Sequence, residues 1–316
     1  MLVSAPSRLH FGLLSFGHPG QRQFGGAGVM IERPGLHLRL APAECFAAVG
    51  PLADRVERAA VRFARACELA AVPNVRVEVL QAPPEHVGLG TGTQLALAVV
   101  AGLNALTRGE PLAPETLAQW SGRGLRSAVG TYGFAHGGLI AEGGKGPSDA
   151  LAPLTRRIEI PDRWRFVLVL PRAGRGLSGE DEQQAFAALP PVPPSTTAAL
   201  WEELTERLLP AAERADLAQF GRSLYDYGYQ SGMCFAARQG GAFASPRVVE
   251  IVELIRKEGV TGVGQSSWGP TVFAVVESAV AAEQLVARIR PHVETDSAVL
   301  VTAPNNSGAR IDVSET

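Results

Sequence analysis

The feature that most constrains this chain is a loop of three glycines and two threonines that runs straight into an apolar segment, residues 87–106, VGLGTGTQLALAVVAGLNAL. Glycine lets the backbone turn tightly and approach a ligand closely, so that amide N–H groups can point at it. A helix that begins directly after the loop adds unpaired N–H groups and the positive end of its dipole. The pattern therefore predicts a site for linked phosphates, formed by Gly88, Leu89, Gly90, Thr91, Gly92, Thr93 and Gln94.

The loop matches neither of the two common phosphate-binding fingerprints. No Lys follows its last glycine, as the P-loop requires. The dinucleotide fingerprint needs a different glycine spacing and a strand directly before the loop. We predict that Thr93 caps a helix over residues 94–106. A tight turn that only begins a well-packed helix is the alternative that the loop alone leaves open.

Length, composition and charge restrict the class of protein. The 316 residues suit two domains, and 46% hydrophobic with 19% charged residues is a typical globular mixture. A formal net charge of −2 argues against a nucleic-acid partner. Three widely spaced cysteines predict neither disulfides nor a zinc site and favour the reducing cytoplasm. We expect no signal peptide and no membrane partner, since neither a secretory pattern nor a sufficiently long apolar run is present.

Hydrophobic periodicity predicts the regular elements. Strands are expected at residues 36–40, 75–80, 165–170, 271–276 and 298–301. Helices are expected over residues 52–70, 94–106, 196–209, 216–229, 246–257 and 280–289, with a short one after Pro114. The second half of the chain therefore has an α+β pattern of helices with an antiparallel sheet.

Three segments resemble motifs of the GHMP kinases and occur in that family's order. Residues 84–96 resemble its phosphate loop, PxxxGLGSSA, with Gly92-Thr93 in place of the Ser-Ala ending. Residues 5–12, APSRLHFG, resemble its N-terminal substrate motif. Residues 262–271, GVGQSSWGPT, resemble the C-terminal glycine motif, which packs beside the phosphate loop in that family.

The closer resemblance is to one branch of that superfamily, the β-ribofuranosylaminobenzene 5′-phosphate synthases, and it covers nearly the whole chain. It implies an α+β, two-domain GHMP kinase fold. Residues 1–155 would form a ribosomal S5 domain 2-like N-terminal domain with the phosphate loop, and residues 156–316 a ferredoxin-like C-terminal domain. The segments that carry the resemblance are SRLHFGLL, FGGAGVMIERP, VGLGTGTQLALAV, GRGLRSAVGTYGFAHGG, GLSGEDE, GQSSWGPTVFA and TAPNNSGA.

The resemblance also implies an activity. Phosphoribosyl pyrophosphate and 4-aminobenzoate or 4-hydroxybenzoate would give a ribosyl arene phosphate, CO2 and pyrophosphate, in tetrahydromethanopterin biosynthesis. Mg2+ is expected with the pyrophosphate substrate, held mainly by substrate oxygens and water. Its protein ligands are not predicted, although Glu142, Asp149 and Glu180 are candidate outer-sphere partners. The resemblance to this family also implies a homodimer.

Gly130 bears on the choice between a kinase and a ribosyltransferase. Many GHMP kinases carry a catalytic Asp in a Ser-Gly-Val-Asp segment, and here the comparable stretch is Ser127-Ala-Val-Gly130. A kinase that depends on this Asp as its base would have lost it. Some members of the superfamily manage without the base, so an ATP-dependent small-molecule kinase stays an alternative. A non-catalytic phosphate-binding regulator on the same fold is the third possibility.

Decarboxylating ribosyl transfer needs positive groups and backbone amides more than a pair of carboxylates, because a pyrophosphate departs and no proton leaves the attacking carbon. Arg8 and His10 lie two residues apart and would share one face of a strand. With Arg126 they are the predicted catalytic residues, and Arg123 joins the phosphate-binding set. The predicted substrate-binding residues are Ser7, Phe24, Gly25, Gly26, Ser127, Gly130, Gln265, Ser266 and Ser267.

Overall fold

The computed structural model describes residues 1–171, 176 and 179–312, so that Leu177 and Ser178 of the GLSGEDE segment lie outside the described residues. The strands are β1 (Leu2–Ser15), β2 (Phe24–Pro42), β3 (Ala47–Val49), β4 (Val75–Gln81), β5 (Leu139–Glu142), β6 (Leu154–Ile158), β7 (Arg165–Leu170), β8 (Val263–Gln265), β9 (Val272–Val276), β10 (Ala298–Thr302) and β11 (Arg310–Asp312).

Helices connect and cover these strands. A π-helical stretch, Glu203–Leu208, joins the sixth helix to the seventh, and a 3₁₀ turn, Arg290–His292, follows the last one. The α-helices are α1 (Ala53–Ala66), α2 (Thr91–Thr107), α3 (Pro114–Ser121), α4 (Val129–His136), α5 (Gly179–Ala188), α6 (Pro194–Glu202), α7 (Leu209–Glu213), α8 (Leu217–Met233), α9 (Ala236–Gln239), α10 (Pro246–Lys257) and α11 (Ala279–Ile289).

The first sheet is built around the long antiparallel pair β1 and β2 and continues in the order β11-β1-β2-β4-β3, with β5 pairing β2 and β6 pairing β5. The part of this sheet near the beginning of β1 packs on α1 and α2 through an apolar cluster that includes Val3, Leu38 and Phe63. The far half of β1, with Leu9 and Phe11, packs against the second sheet instead. Because β1 is covered along most of its length, it shows no two-residue alternation, which explains why the sequence pattern missed it.

The second sheet is antiparallel and has the order β10-β7-β9-β8. One of its faces packs on α10 and α11 through residues such as Val252, Leu285 and Ala274. The opposite face, with Phe166 and Phe273, joins the core shared with β1 and α8. The predicted α+β class, with helices and an antiparallel sheet in the second half of the chain, is therefore confirmed.

The predicted domain boundary at residues 155/156 stays a prediction. Strand β6 crosses it, because its five residues pair with β5 in the first sheet. Strand β11 then returns the end of the described chain to the first sheet, beside β1. No helix among the described residues is long and apolar enough to cross a membrane.

The helix after the glycine loop begins earlier than predicted. Helix α2 starts at Thr91, and its N-cap is Gly90 in the left-handed conformation with φ of 74°. The carbonyl of Gly90 accepts hydrogen bonds from the N–H groups of Thr93 and Gln94, so Thr93 already lies inside the first turn. The prediction of Thr93 as the cap was wrong because glycine provides a left-handed start without a side-chain cap.

Helix α8 fixes the far half of β1 through a buried tyrosine. The Tyr227 hydroxyl donates a hydrogen bond of 3.0 Å to the carbonyl oxygen of Gly12, and the ring is fully buried. Two residues of the same strand, Arg8 and His10, line the cavity described below. The tyrosine therefore connects packing of the second domain to the position of the site.

We predict that Tyr227→Phe lowers the free energy of unfolding by about 1–3 kcal/mol, because the buried Gly12 carbonyl loses its donor. Tyr229→Phe is the matched control on the same helix, where the ring is 42% exposed and should cost less than about 0.5 kcal/mol. Urea unfolding monitored by circular dichroism measures both. Equal effects of the two changes would contradict the role given to the Gly12 contact.

Candidate functional site

A cavity of about 580 Å³ lies where the glycine loop, β1, α1, the segment 121–127, α5, α8 and the loop 265–268 meet. The two sheets and their helices bring together segments that are up to about two hundred and fifty residues apart in the chain, such as Arg8 and Trp268. Of the predicted site residues, the cavity lining includes Arg8, His10, Gly88, Leu89, Gly90, Thr91, Gly92, Thr93, Arg123, Arg126, Ser127, Gln265 and Ser267.

The glycine loop presents unpaired backbone donors to this cavity. Gly88 and Gly90 have positive φ values of 90° and 74°, which turn the chain before α2 begins. The N–H groups of residues 88–92 donate no hydrogen bond to the part of the chain that the structure describes. Consecutive free amides at a helix N-terminus form an anion-binding concavity. These free amides are compatible with phosphate binding by the glycine loop, which stays a prediction.

Two hydroxyl groups form hydrogen bonds with backbone groups in and next to the glycine loop. The Ser266 hydroxyl donates to the Gly88 carbonyl at 2.7 Å and accepts from the His10 N–H at 3.0 Å. The Thr91 hydroxyl donates to the Pro84 carbonyl at 2.9 Å. The hydroxyls of Ser266 and Thr91 are therefore engaged within the protein, and the backbone amides are the free donors of the loop.

Arg8 and His10 lie on the same face of β1, as predicted. Arg8 packs over Gly90: its Nε lies 3.4 Å from the point that a Cβ on that glycine would occupy. This Nε is buried and has no hydrogen-bond partner in the described chain. Burial lowers the pKa of Arg8 to about 10, against the opposing effect of Glu182 and Glu142, so the guanidinium stays charged at neutral pH.

His10 is buried and neutral. Burial, and then the nearby charge of Arg8, hold the pKa of its imidazole well below the ordinary value. Its Nε2 lies 3.1 Å from the Ser127 hydroxyl, while its Nδ1 has no partner among the described residues. A neutral imidazole in this position can accept a proton, but it does not supply a positive charge for a carboxylate or phosphate.

A buried carboxyl stands behind this pair. Glu142 is fully buried, and its Oε1 accepts a hydrogen bond of 2.8 Å from the Ala128 N–H. Burial raises the pKa of Glu142 to about 7, although the hydroxyl of Ser127, neighbouring amides and Arg8 favour the ionised form. The Oε2 of Glu142 forms no hydrogen bond with a described residue. His10, Ser127 and Glu142 therefore form a line of polar groups that leads from the cavity into the protein.

Part of the cavity lining is aromatic. Phe186, Phe235 and Trp268 pack edge to face, with ring centroids 4.8–5.9 Å apart. Arg126 lies over the Phe186 ring at 5.0 Å and forms an ion pair of 2.5 Å with Glu182. Glu182 also accepts a hydrogen bond of 3.0 Å from the Trp268 indole N–H. The charge of Arg126 is thus balanced within the protein, and the three rings form an aromatic wall of the cavity.

Several predicted site residues lie outside the cavity lining. The Ser7 hydroxyl points away and donates to the Pro34 carbonyl at 2.6 Å, because alternate residues of β1 face opposite sides. Phe24 packs behind Phe186, with centroids 5.9 Å apart. The others, Gly25, Gly26, Gln94, Gly130 and Ser266, serve close backbone approach or hold neighbouring segments together.

Sequence reasoning missed the arginines of α1. Arg55, Arg58 and Arg62 line the cavity next to the start of α2. The signal was present, since arginines recur at helical spacing opposite the apolar face of this helix. The spacing predicts a polar face but does not tell whether that face meets solvent or a cavity.

The described residues offer no dedicated metal site. They contain no cluster of three or more His, Cys, Asp or Glu side chains that could hold an ion. The carboxylates that line the cavity, Glu85 and Glu182, pair with Arg55 at 2.7 Å and with Arg126. Of the candidate outer-sphere residues, Glu142 is enclosed and Asp149 pairs with Arg22 at 2.7 Å. Glu180 lies outside the cavity lining. This donor set does not fit a resident Mg2+.

We predict that Gly88→Ala weakens binding of inorganic pyrophosphate at least about tenfold, a loss of roughly 1.4 kcal/mol. The added Cβ would lie 2.2 Å from the Ser266 carbonyl oxygen, so the loop must move. Gly109→Ala is the matched control: its φ of 86° is similar, but open space surrounds its Cβ. Titration calorimetry with pyrophosphate should show unchanged affinity for the control. Undiminished affinity in Gly88→Ala would contradict the assignment of the loop.

Comparisons with known proteins agree with this geometry. The sequence model of the GHMP kinases N terminal domain matches residues 54–138, and that of the GHMP kinases C terminal domain matches residues 208–294. Homoserine kinase from Cytophaga hutchinsonii superposes with a TM-score of 0.73 over 98% of this chain and 96% of its own, at 16% identity. Phosphomevalonate kinase from Streptococcus pneumoniae gives 0.72 over 96% and 99%, at 11% identity. These solved structures show the fold, and the predicted two-domain GHMP kinase fold is confirmed.

Full-length relatives narrow the family further. The beta-ribofuranosylphenol 5′-phosphate synthase of Archaeoglobus fulgidus is 32% identical over 98% of this chain and 99% of its own length. The protein of the same name from Methanothermobacter thermautotrophicus is 28% identical over 88% and 89%. The chain, whose phosphate loop and cavity are described above, belongs to the β-ribofuranosylphenol 5′-phosphate synthase family of the GHMP kinase superfamily.

Proposed function

We propose that this protein is a decarboxylating phosphoribosyltransferase that joins phosphoribosyl pyrophosphate to 4-hydroxybenzoate and releases CO2 and pyrophosphate. The observation that carries the proposal is one cavity that combines free loop amides and Arg8 with an aromatic wall. Such a cavity suits a phosphorylated sugar donor beside a flat arene. The name of the relatives contains a phenol, which supports 4-hydroxybenzoate over 4-aminobenzoate as the acceptor.

The leaving group is held by the glycine loop. Amides of residues 88–92 bind the departing pyrophosphate, and Arg8 over Gly90 adds a permanent positive charge beside it. Negative charge grows on the pyrophosphate as the anomeric C–O bond breaks, so these fixed donors stabilise the transition state more than the bound substrate. Phe186, Phe235 and Trp268 hold the arene with its carboxylated ring carbon toward the anomeric carbon.

The hydroxyl of the acceptor gives the neutral His10 a role. As the ring carbon bonds to the anomeric carbon and pyrophosphate leaves, the phenolic O–H breaks and its proton passes to Nδ1 of His10. The dearomatised dienone carboxylate then loses CO2. The electron pair of the C–CO2 bond restores the ring as a phenolate, and His10 returns the proton. Ser127 and Glu142 stabilise the protonated imidazole from behind.

The kinase alternative is disfavoured by how Gly130 is packed. A Cβ on Gly130 would lie 3.1 Å from Cγ2 of Thr93 and 3.6 Å from Nε2 of Gln94. Thr93 stands where the usual kinase loop has the smaller Ala, so a side chain at position 130 would be crowded by its methyl group. The kinases that superpose on this chain share its fold at 11–19% identity. A silent phosphate-binding regulator would not require an aromatic wall beside the loop.

The proposal also includes the metal ion, the oligomeric state, the compartment and the pathway. Mg2+ enters with the donor, coordinated by phosphate oxygens and water, since the cavity carboxylates are already paired with arginines. The protein acts as a homodimer in the cytoplasm, within tetrahydromethanopterin biosynthesis. The three free cysteines are compatible with a reducing compartment.

The activity is tested by release of labelled CO2. Purified protein with phosphoribosyl pyrophosphate, Mg2+ and carboxyl-labelled 4-hydroxybenzoate should release CO2 and pyrophosphate in equal amounts. The same assay with 4-aminobenzoate compares the two acids, and ATP hydrolysis measured in parallel tests the kinase alternative. If neither acid releases CO2, the proposal is contradicted. Phosphate transfer from ATP to an alcohol would support the kinase alternative instead.

The line from His10 to Glu142 predicts a pH dependence. Because the pKa of Glu142 is about 7 and its ionised form assists proton transfer, kcat should rise with pH through about 7. Arg8, Tyr132 and Tyr227 also face this carboxyl, but Arg8 stays cationic and both tyrosines stay neutral in this range. In Glu142→Gln the rise should vanish and kcat should fall about 10²-fold or more. Glu180→Gln, an exposed change, should keep the wild-type profile.

Stability provides a second readout for the same variant. The folded protein holds the Glu142 proton more tightly than the ordinary pKa of 4.5, so its contribution to stability is present below pH 4.5 and is lost as pH rises through 7. The unfolding free energy of wild type relative to Glu142→Gln should therefore decrease between these values. A difference in unfolding free energy that does not change with pH would contradict the raised pKa of Glu142. A kcat–pH profile of Glu142→Gln equal to that of the wild type would contradict the role of Glu142 in proton transfer.

A further inference from the structure

A second group of positive side chains lies beyond the glycine loop, on the side of α2 away from Arg8. Nη1 of Arg55 lies 2.7 Å, and Nη2 of Arg123 3.8 Å, from the point that a Cβ on Gly92 would occupy. Nη1 of Arg62 lies 2.7 Å from the corresponding point on Gly122, next to Arg123 in the chain. All three arginines line the cavity. Helix α1 and the segment after α3 thus bring them together at one end of it.

The charges in this group are only partly balanced by the described residues. Arg55 pairs with Glu85 at 2.7 Å, but Arg62 and Arg123 have no ion pair in the described part of the chain. Nε of Arg123 is buried and lacks a hydrogen-bond partner there. Burial, and then the charges of Arg55 and Arg62, lower the pKa of Arg123. Placing like charges together without an acceptor costs free energy, which an anionic ligand would recover.

The arginine group adjoins the glycine loop at Gly92, whereas Arg8 contacts it at Gly90. Gly92 lies only two residues further along the chain than Gly90, so the two groups of donors contact neighbouring parts of the loop. A donor for the proposed reaction carries two phosphorylated ends: a pyrophosphate at the anomeric carbon and a monoester at the other end of the sugar. One set of donors for each end would hold the sugar between them and fix the anomeric carbon in front of the acceptor.

We propose that Arg62 and Arg123, supported by Arg55, form a separate monophosphate subsite that takes the 5-phosphate of the sugar donor, while the loop amides take its pyrophosphate. This inference rests on the proposed function for the identity of the donor. The planar guanidinium forks of Arg62 and Arg123 suit the oxygens of a dianionic phosphate ester better than a point charge does. Arg55, which pairs with Glu85, lies beside Arg123 at Gly92, on the edge of this subsite.

Binding measurements without turnover separate the two subsites. Titration calorimetry uses ribose 5-phosphate as the probe of the arginine group and inorganic pyrophosphate as the probe of the loop. In Arg62→Gln and Arg123→Gln, affinity for ribose 5-phosphate should fall about tenfold or more, whereas affinity for pyrophosphate should change less than about threefold. Gly88→Ala should show the reverse pattern. Arg65→Gln is the matched control on α1, outside the cavity lining, and should change neither affinity.

Two outcomes of these measurements would overturn the inference. No binding of millimolar ribose 5-phosphate by the wild type would remove the subsite, and equal weakening of both probes would assign the arginines to the pyrophosphate. Arg123→Lys keeps the charge but not the fork, and we expect it to recover only part of the affinity. Failure of CO2 release with intact, arginine-dependent ribose 5-phosphate binding would reject the reaction and leave the subsite standing, so the two proposals fail separately.

Discussion

The site depends on one hydroxyl that joins three distant parts of the chain. Ser266, from the loop before β9, donates to the Gly88 carbonyl and accepts from the His10 N–H. The N–H of Ser267 in turn donates to the His10 carbonyl at 3.1 Å. These contacts turn the carbonyl of Gly88 away from the cavity and leave the following amides free. A buried donor and acceptor shared in this way fix position, because breaking either contact strands a polar group. The second domain thus sets the geometry of a loop that belongs to the first.

The charge of the cavity is opposite to that of the whole chain. The protein has a formal net charge of −2, yet Arg8, Arg62, Arg123 and the loop amides line the cavity without an ion pair or hydrogen-bond acceptor in the described part of the chain. Its carboxylates are engaged with arginines, and His10 is neutral. Such a field favours a highly anionic ligand and concentrates it where the acceptor wall begins. The same arrangement explains why a phosphate loop of kinase type can serve a reaction in which a diphosphate leaves a sugar.

The sequence carried part of this structure in local patterns. Helix α10 has the predicted bounds, Pro246–Lys257, since its apolar spacing, its Ser cap and its proline all agree. The glycine loop and the shared face of Arg8 and His10 were likewise readable, because glycine geometry and strand alternation are local properties. The features that the sequence did not predict depend on tertiary packing. Strand β1 is covered on both faces, and the sequence suggested Glu142 only as an outer-sphere partner of Mg2+, whereas the fold encloses it near His10 and Ser127. The arginines of α1 formed a recognisable polar face, but only the fold shows that it borders a cavity.

The central claim, that the backbone amides of the glycine loop hold a diphosphate as it leaves a sugar, is tested most directly by a crystal structure with the donor bound. We predict that the diphosphate oxygens lie within hydrogen-bonding distance of the amide nitrogens of Leu89, Gly90, Thr91 and Gly92, with the sugar extending toward Arg123. Diphosphate bound elsewhere on the protein, with these amides facing water or a neighbouring side chain, would contradict the account.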